Sequence, residues 1–185
     1  MPWTWLIPLA IPVLLVLWFV GIYNSLVRRR VQVQNAWAQI DVQLKRRYDL
    51  IPNLIETVKG YMAHERTVLE NVTKARQQAI DVSGVADQAQ AENILTGALR
   101  QLFAVAENYP DLKANQNFLQ LQEELTSTEN KIAFARQFYN DAVQDYNTGL
   151  QVFPSSLVAS MFGFRSKPFF ELEDAAQREA PQVRF

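Results

Sequence analysis

The sequence predicts an all-α protein: one N-terminal transmembrane helix continuous with an up-and-down antiparallel four-helix bundle. Three observations predict it. No residue from Trp3 to Tyr23 is charged. Apolar residues recur at alternating spacings of three and four almost unbroken from 24 to 150. Proline is absent from 13–51, 53–109 and 111–153, so the few prolines present delimit helices.

The first element is a short tail and membrane span over residues 1–23. Its 21 uncharged residues from Trp3 to Tyr23 give roughly 31 Å of helix, close to the thickness of a bilayer core. Trp3 and Trp5 at one end, with Trp18 and Tyr23 near the other, form the aromatic belt expected at the two interfaces. Pro8 and Pro12 are tolerable in a span where freed carbonyls find local partners. A cleaved signal peptide fits poorly, because no basic residue precedes the run and no small-x-small site follows it. Arg28, Arg29 and Arg30 follow the span directly, where they can meet anionic headgroups. By the positive-inside rule they place the bundle in the cytoplasm and the N-terminus outside.

The bundle occupies 24–150. Its first helix, about 24–48, carries the stripe Val33, Trp37, Ile40 and Leu44. Asp49 and Pro52 suggest a cap and a first-turn proline, hence a hairpin turn or kink at Asp49–Asn53. A second helix, about 52–80, presents Leu54, Val58, Tyr61, Glu65, Val68, Val72, Ala75 and Ala79. Ser83 and Gly84 mark a loop. The third, about 87–107, presents Ala91, Leu95, Ala98, Leu102 and Val105. Asn108–Asp111 ends it, with Asp111 a cap for the fourth, about 112–150. There Phe118, Leu121, Leu125, Thr128, Ile132, Ala135, Tyr139, Ala142 and Tyr146 keep the heptad-like spacing that favours near-antiparallel packing. Residues 151–185 form an aromatic-rich tail. Phe153, Phe162, Phe164, Phe169 and Phe170 either fill the open seam of the bundle or contact a membrane or partner.

Composition excludes several functions. Residues 1–40 carry a net charge of +3 and residues 41–185 a net charge of −4, so no broad nucleic-acid surface is expected. Cysteine is absent, which removes thiol nucleophiles, disulfides and Cys-ligated metals. Six glycines, with neither a Walker nor a dinucleotide pattern, argue against a phosphate loop. His64 is the single histidine. His64-Glu65 opens like a zinc-protease motif, but Val68 stands where the second histidine is due. No carboxylate pair, nucleophile–base pair or oxyanion site follows from the spacing, so no enzymatic activity, catalytic residue, metal or cofactor is expected. Glu65 lies on an apolar stripe, where a carboxylate needs a partner. Lys131, or one of Lys45, Arg46 and Arg47, can supply a buried ion pair.

Several stretches resemble the LemA family of bacterial membrane proteins. They are Tyr23–Val27 leading to Ala36-Trp37, Ile40–Leu54, Glu56–Tyr61 with His64-Glu65, and Thr128–Ala133 with Ala135–Asn140. Tyr146-Asn147, Phe153-Pro154 and Gly163-Phe164 complete the set. The resemblance implies a membrane-anchored helical bundle of the bacterial cell (inner) membrane and supplies no enzyme activity or cofactor. Some family members carry a lipid-attachment cysteine at the end of the apolar segment, which would put their domain outside the cytoplasm. This chain has Gly21-Ile22 there.

The expected function is a non-enzymatic scaffold of the cell envelope, held in the lipid bilayer and self-associating into a homo-oligomer through bundle surfaces. The alternatives are a membrane-remodelling or lipid-binding protein whose aromatic tail enters the interface beside Arg28–Arg30, and an accessory subunit of a membrane protease or transporter.

Overall fold

The computed structural model describes residues 6–62 and 64–171. They form α1 (Leu6–Lys59), α2 (Arg66–Asp81), α3 (Val85–Ala106), α4 (Pro110–Lys113), α5 (Gln116–Gln151) and α6 (Ser155–Met161). The fold is all-helical, and its long apolar N-terminal helix continues into a helical bundle.

The turn or kink expected at Asp49–Asn53 does not divide the helix there; α1 continues to Lys59. The reason is local. Pro52 brings no N–H, so the carbonyl of Tyr48, four residues back, loses its helical partner. Arg76 Nε donates to that carbonyl at 2.7 Å and replaces the missing bond. Pro52 itself is exposed, so its ring disturbs no packing. The chain turns instead after Lys59. Gly60 is a poor helix former, and the Tyr61 and Met62 amides both reach the Val58 carbonyl at 3.0 Å. The helix expected over 52–80 is therefore the end of α1 plus α2. Tyr61, expected in its core stripe, is exposed at this turn.

The other breaks fall close to expectation. Gly84, at φ +106°, holds the left-handed conformation that starts α3. Pro110 opens the short α4 at its first position. Asp111 lies inside that first turn rather than capping the long helix. Asn115 does so instead, its Oδ1 accepting the Phe118 amide at 3.1 Å, and the helix expected over 112–150 is α5.

The chain divides into two compact units, residues 1–39 with 135–168, and residues 40–134 with 169–185. In the second unit, Ile51, Leu54 and Val58 of α1 meet Val68, Val72 and Ala75 of α2. Leu95, Leu99 and Leu102 of α3, with Leu112, Phe118 and Leu125, complete its core. In the first unit, α1 and α5 run antiparallel. Arg29 Nη1 pairs with Asp145 Oδ1 at 2.7 Å, and the Trp37 and Tyr139 rings lie 5.4 Å apart. Gly149 lets α5 approach closely, since a Cβ there would stand 3.2 Å from Arg29 Nη1 and 3.5 Å from Leu26 Cδ2.

Candidate functional site

The first unit carries the apolar span. From Ile11 to Leu17 every side chain is exposed, and α1 is the one described helix long and apolar enough to cross a membrane. Trp18 is exposed and Tyr23 half-buried; Trp3 and Trp5 lie outside the described residues. The three arginines after the span have separate environments. Arg28 is exposed. Arg29 is held by the Asp145 carboxylate and backbone carbonyl, at 2.7 and 2.8 Å. Arg30 lies 5.3 Å over the Phe164 ring.

The aromatic tail returns to this end of the span. After Phe153-Pro154, α6 buries Val158 and Ala159 against Leu26, with Phe19, Ile22, Tyr23 and Leu150 around them. Phe162 packs on Tyr23 at 4.8 Å and on Phe19 at 6.0 Å; Phe164 packs on Tyr23 at 5.7 Å. Asn147 pairs with both backbone groups of Lys167 at 2.9 Å, and Tyr139 Oη donates to the Pro168 carbonyl at 2.9 Å. Burial pushes the Tyr139 phenol up, which keeps it a donor. Phe169 and Phe170 belong to the second unit, Phe169 exposed and Phe170 buried.

The second unit holds a buried polar centre built on Arg47, which the sequence offered as an ion-pair candidate for Glu65 and which pairs instead with Glu92 and Glu129. Arg47 is 4% exposed. Its Nη1 contacts Glu92 Oε2 and Glu129 Oε2, each at 3.1 Å, and its Nη2 donates to Thr96 Oγ1 at 2.8 Å. Tyr48 Oη donates to Glu92 Oε1. Gln88 Nε2 donates to Tyr48 Oη at 2.9 Å and to the Ala79 carbonyl at 2.9 Å. One cation is thus shared by two carboxylates, and α1, α2, α3 and α5 are tied at one level. Burial pushes the Glu92 carboxyl up, against the Tyr48 hydrogen bond and the Arg47 charge. Burial and then the Glu92 charge raise the Tyr48 phenol, so it remains protonated and donating.

The signal for this centre was present. Read through Pro52, the stripe continues as Ile40, Leu44, Arg47, Ile51, Leu54 and Val58, spaced 4, 3, 4, 3, 4. That places Arg47 in the core. Gln88 and Glu92 precede Leu95, Leu99 and Leu102 on the same pattern. Glu65 and Lys131, the pair expected to be buried, are not among the ion pairs of the described residues. Glu65 is half-buried and accepts from Tyr109 Oη at 3.4 Å; Lys131 is exposed on α5.

Two further surfaces lie on the second unit. Between α1 and α2 runs a groove floored by Ile55, Met62 and Leu69 and rimmed by Lys59, Arg66 and Lys74. On α5, Leu119, Gln122, Glu123, Thr126, Ser127, Asn130, Lys131 and Phe134 line one shallow outward face. Phe134 is 73% exposed there, and Leu119 49%. Among the described residues, no three His, Asp or Glu side chains stand together as metal ligands would.

A helical bundle led by one apolar span, with aromatic residues and arginines at its end, defines a membrane-associated helical protein. Residues 36–185 match the model of the LemA family, and the chain belongs to that family. It is 30% identical over 161 residues to Protein LemA of Metamycoplasma hominis, covering 84% of this chain and 72% of that one. It is also similar to Magnetosome protein MamQ 2 of Paramagnetospirillum magneticum, at 23% identity over 179 residues, 83% of this chain and 66% of the relative. Magnetosome protein MamQ of Magnetospirillum gryphiswaldense matches at 22% over 189 residues, 87% of this chain and 70% of the relative.

Proposed function

We propose that the protein is a non-enzymatic scaffold of the bacterial cell membrane, held by α1, that self-associates through the outward face of α5. The observation that carries this reading is the exposure of Leu119 and Phe134 at the two ends of that face. The opposite side of α5 already buries Phe118, Leu125, Thr128 and Ile132, so these two residues add nothing to the core. Large apolar side chains on an ordered helix, flanking a polar middle, suit an interface. The face also carries Glu123 and Lys131 two turns apart, so two antiparallel copies can pair opposite charges across it. Many copies side by side in one bilayer gain avidity that a single weak contact lacks.

The test is crosslinking of single-cysteine variants in native membranes. The chain has no cysteine, so Ser127→Cys is a clean reporter. Ser127→Cys should form a dimer under mild oxidation, and Leu119→Glu with Phe134→Glu should abolish it. A crosslink to a different membrane protein would replace self-association with a partner-binding role.

A further inference from the structure

We propose that the α5–α6 connection and α6, residues 152–162, form a second membrane contact that enters the same leaflet as the end of α1. The proposal rests on the membrane span but not on self-association. Its first support is direction. Within the first unit, Asp145 lies beside Arg29 and Gly149 beside Leu26, so α5 descends toward the span. The chain leaves α5 after Gln151, and Val152 and Phe153 stand at its tip, Phe153 79% exposed.

The second support is depth. Phe162 stacks on both Phe19 and Tyr23, so it shares the level of the last turn of the apolar run. The third is surface. While Val158 and Ala159 face α1, Leu157, Met161 and Phe162 turn outward, Met161 70% exposed. Through the contact of Phe162 with Phe19 this apolar surface adjoins the span. The fourth is charge. Residues 146–164 contain no charged side chain, and Arg165 and Lys167 follow at once. An uncharged wedge edged by Arg28, Arg30, Arg165 and Lys167 suits acyl chains below and anionic headgroups above. A soluble partner would not need its docking surface at bilayer depth.

The aromatic tail therefore divides. Phe153 faces lipid, and Phe162 does so with its exposed edge while its ring packs on Tyr23 and Phe19. Phe164, under Arg30 and against Tyr23, fastens the returning chain.

Full-length Met161→Cys, labelled with an environment-sensitive fluorophore and reconstituted into phosphatidylcholine–phosphatidylglycerol vesicles, tests this. Val16→Cys serves as the reference within the span and Gln34→Cys as the aqueous reference. Bromines on lipid acyl chains should quench position 161 nearly as strongly as position 16, and aqueous iodide should quench it several-fold less than position 34. The pattern should persist on tenfold dilution with lipid. Iodide quenching at 161 equal to that at 34 would overturn the proposal. So would protection that disappears on dilution, because contact with a second copy would then be its cause. Leu157→Cys repeats the measurement should the 161 label disturb folding.

Discussion

Arg76 shows how one side chain changes the meaning of a proline. Its Nε supplies the hydrogen bond that Pro52 withholds from Tyr48, and this lets α1 pass through a residue that ordinarily ends a helix. Arg76→Met should therefore cost about 1–3 kcal/mol, the cost of orphaning a partly buried carbonyl. In a Pro52→Ala background the new amide can take that carbonyl, and the cost of Arg76→Met should shrink. A double-mutant cycle by thermal unfolding in detergent measures the coupling; strict additivity would refute it. Arg47 makes a different prediction. Arg47→Met leaves Glu92 buried without its cation and Glu129 without its partner, and should destabilise by about 3–5 kcal/mol. Tyr48→Phe removes the donor to Glu92 and the acceptor of Gln88 but no charge, and should cost about 1–3 kcal/mol. Equal stability of all three proteins in chemical denaturation would deny the centre a structural role.

Among the elements, periodicity carried most of the information and punctuation misled only at Pro52. Val33, Ile40, Leu44, Leu54, Val58, Val72, Leu95, Leu102, Phe118, Leu125 and Tyr146 are all buried on the stripes the spacing predicts. The helix boundary between α1 and α2 was not legible. Pro52 carries a strong local signal and Gly60 a weak one, and the long-range bond from Arg76 has no signature in either stretch. Arg47 was legible without that boundary: it stands three residues after Leu44 inside the helix expected over 24–48, and its charge alone argued against burial. The α6 site was half legible: the aromatic residues were visible, but which of them fasten the chain and which face outward depends on tertiary contacts. Spin labels at Val42→Cys and Glu56→Cys test the continuous α1 directly. Both positions are exposed, and 14 residues of helix separate them by about 21 Å. A hairpin at 49–53 would bring them within roughly half that distance.

For the whole molecule, function follows from surfaces that folding leaves unused. The polar centre and the two cores explain why the helices hold together, and beside the α1–α2 groove they leave three surfaces over. One is the span, one is the outward side of α6, and one is the α5 face from Leu119 to Phe134. In the proposed function, the first two meet lipid and the third meets another copy. Assembly is tested by the mass of the full-length protein in mild detergent, measured by light scattering. The native protein should form a uniform particle several times the mass of one chain, reduced to single chains by Leu119→Glu with Phe134→Glu. A native protein that remains a single chain at every concentration tested would contradict it.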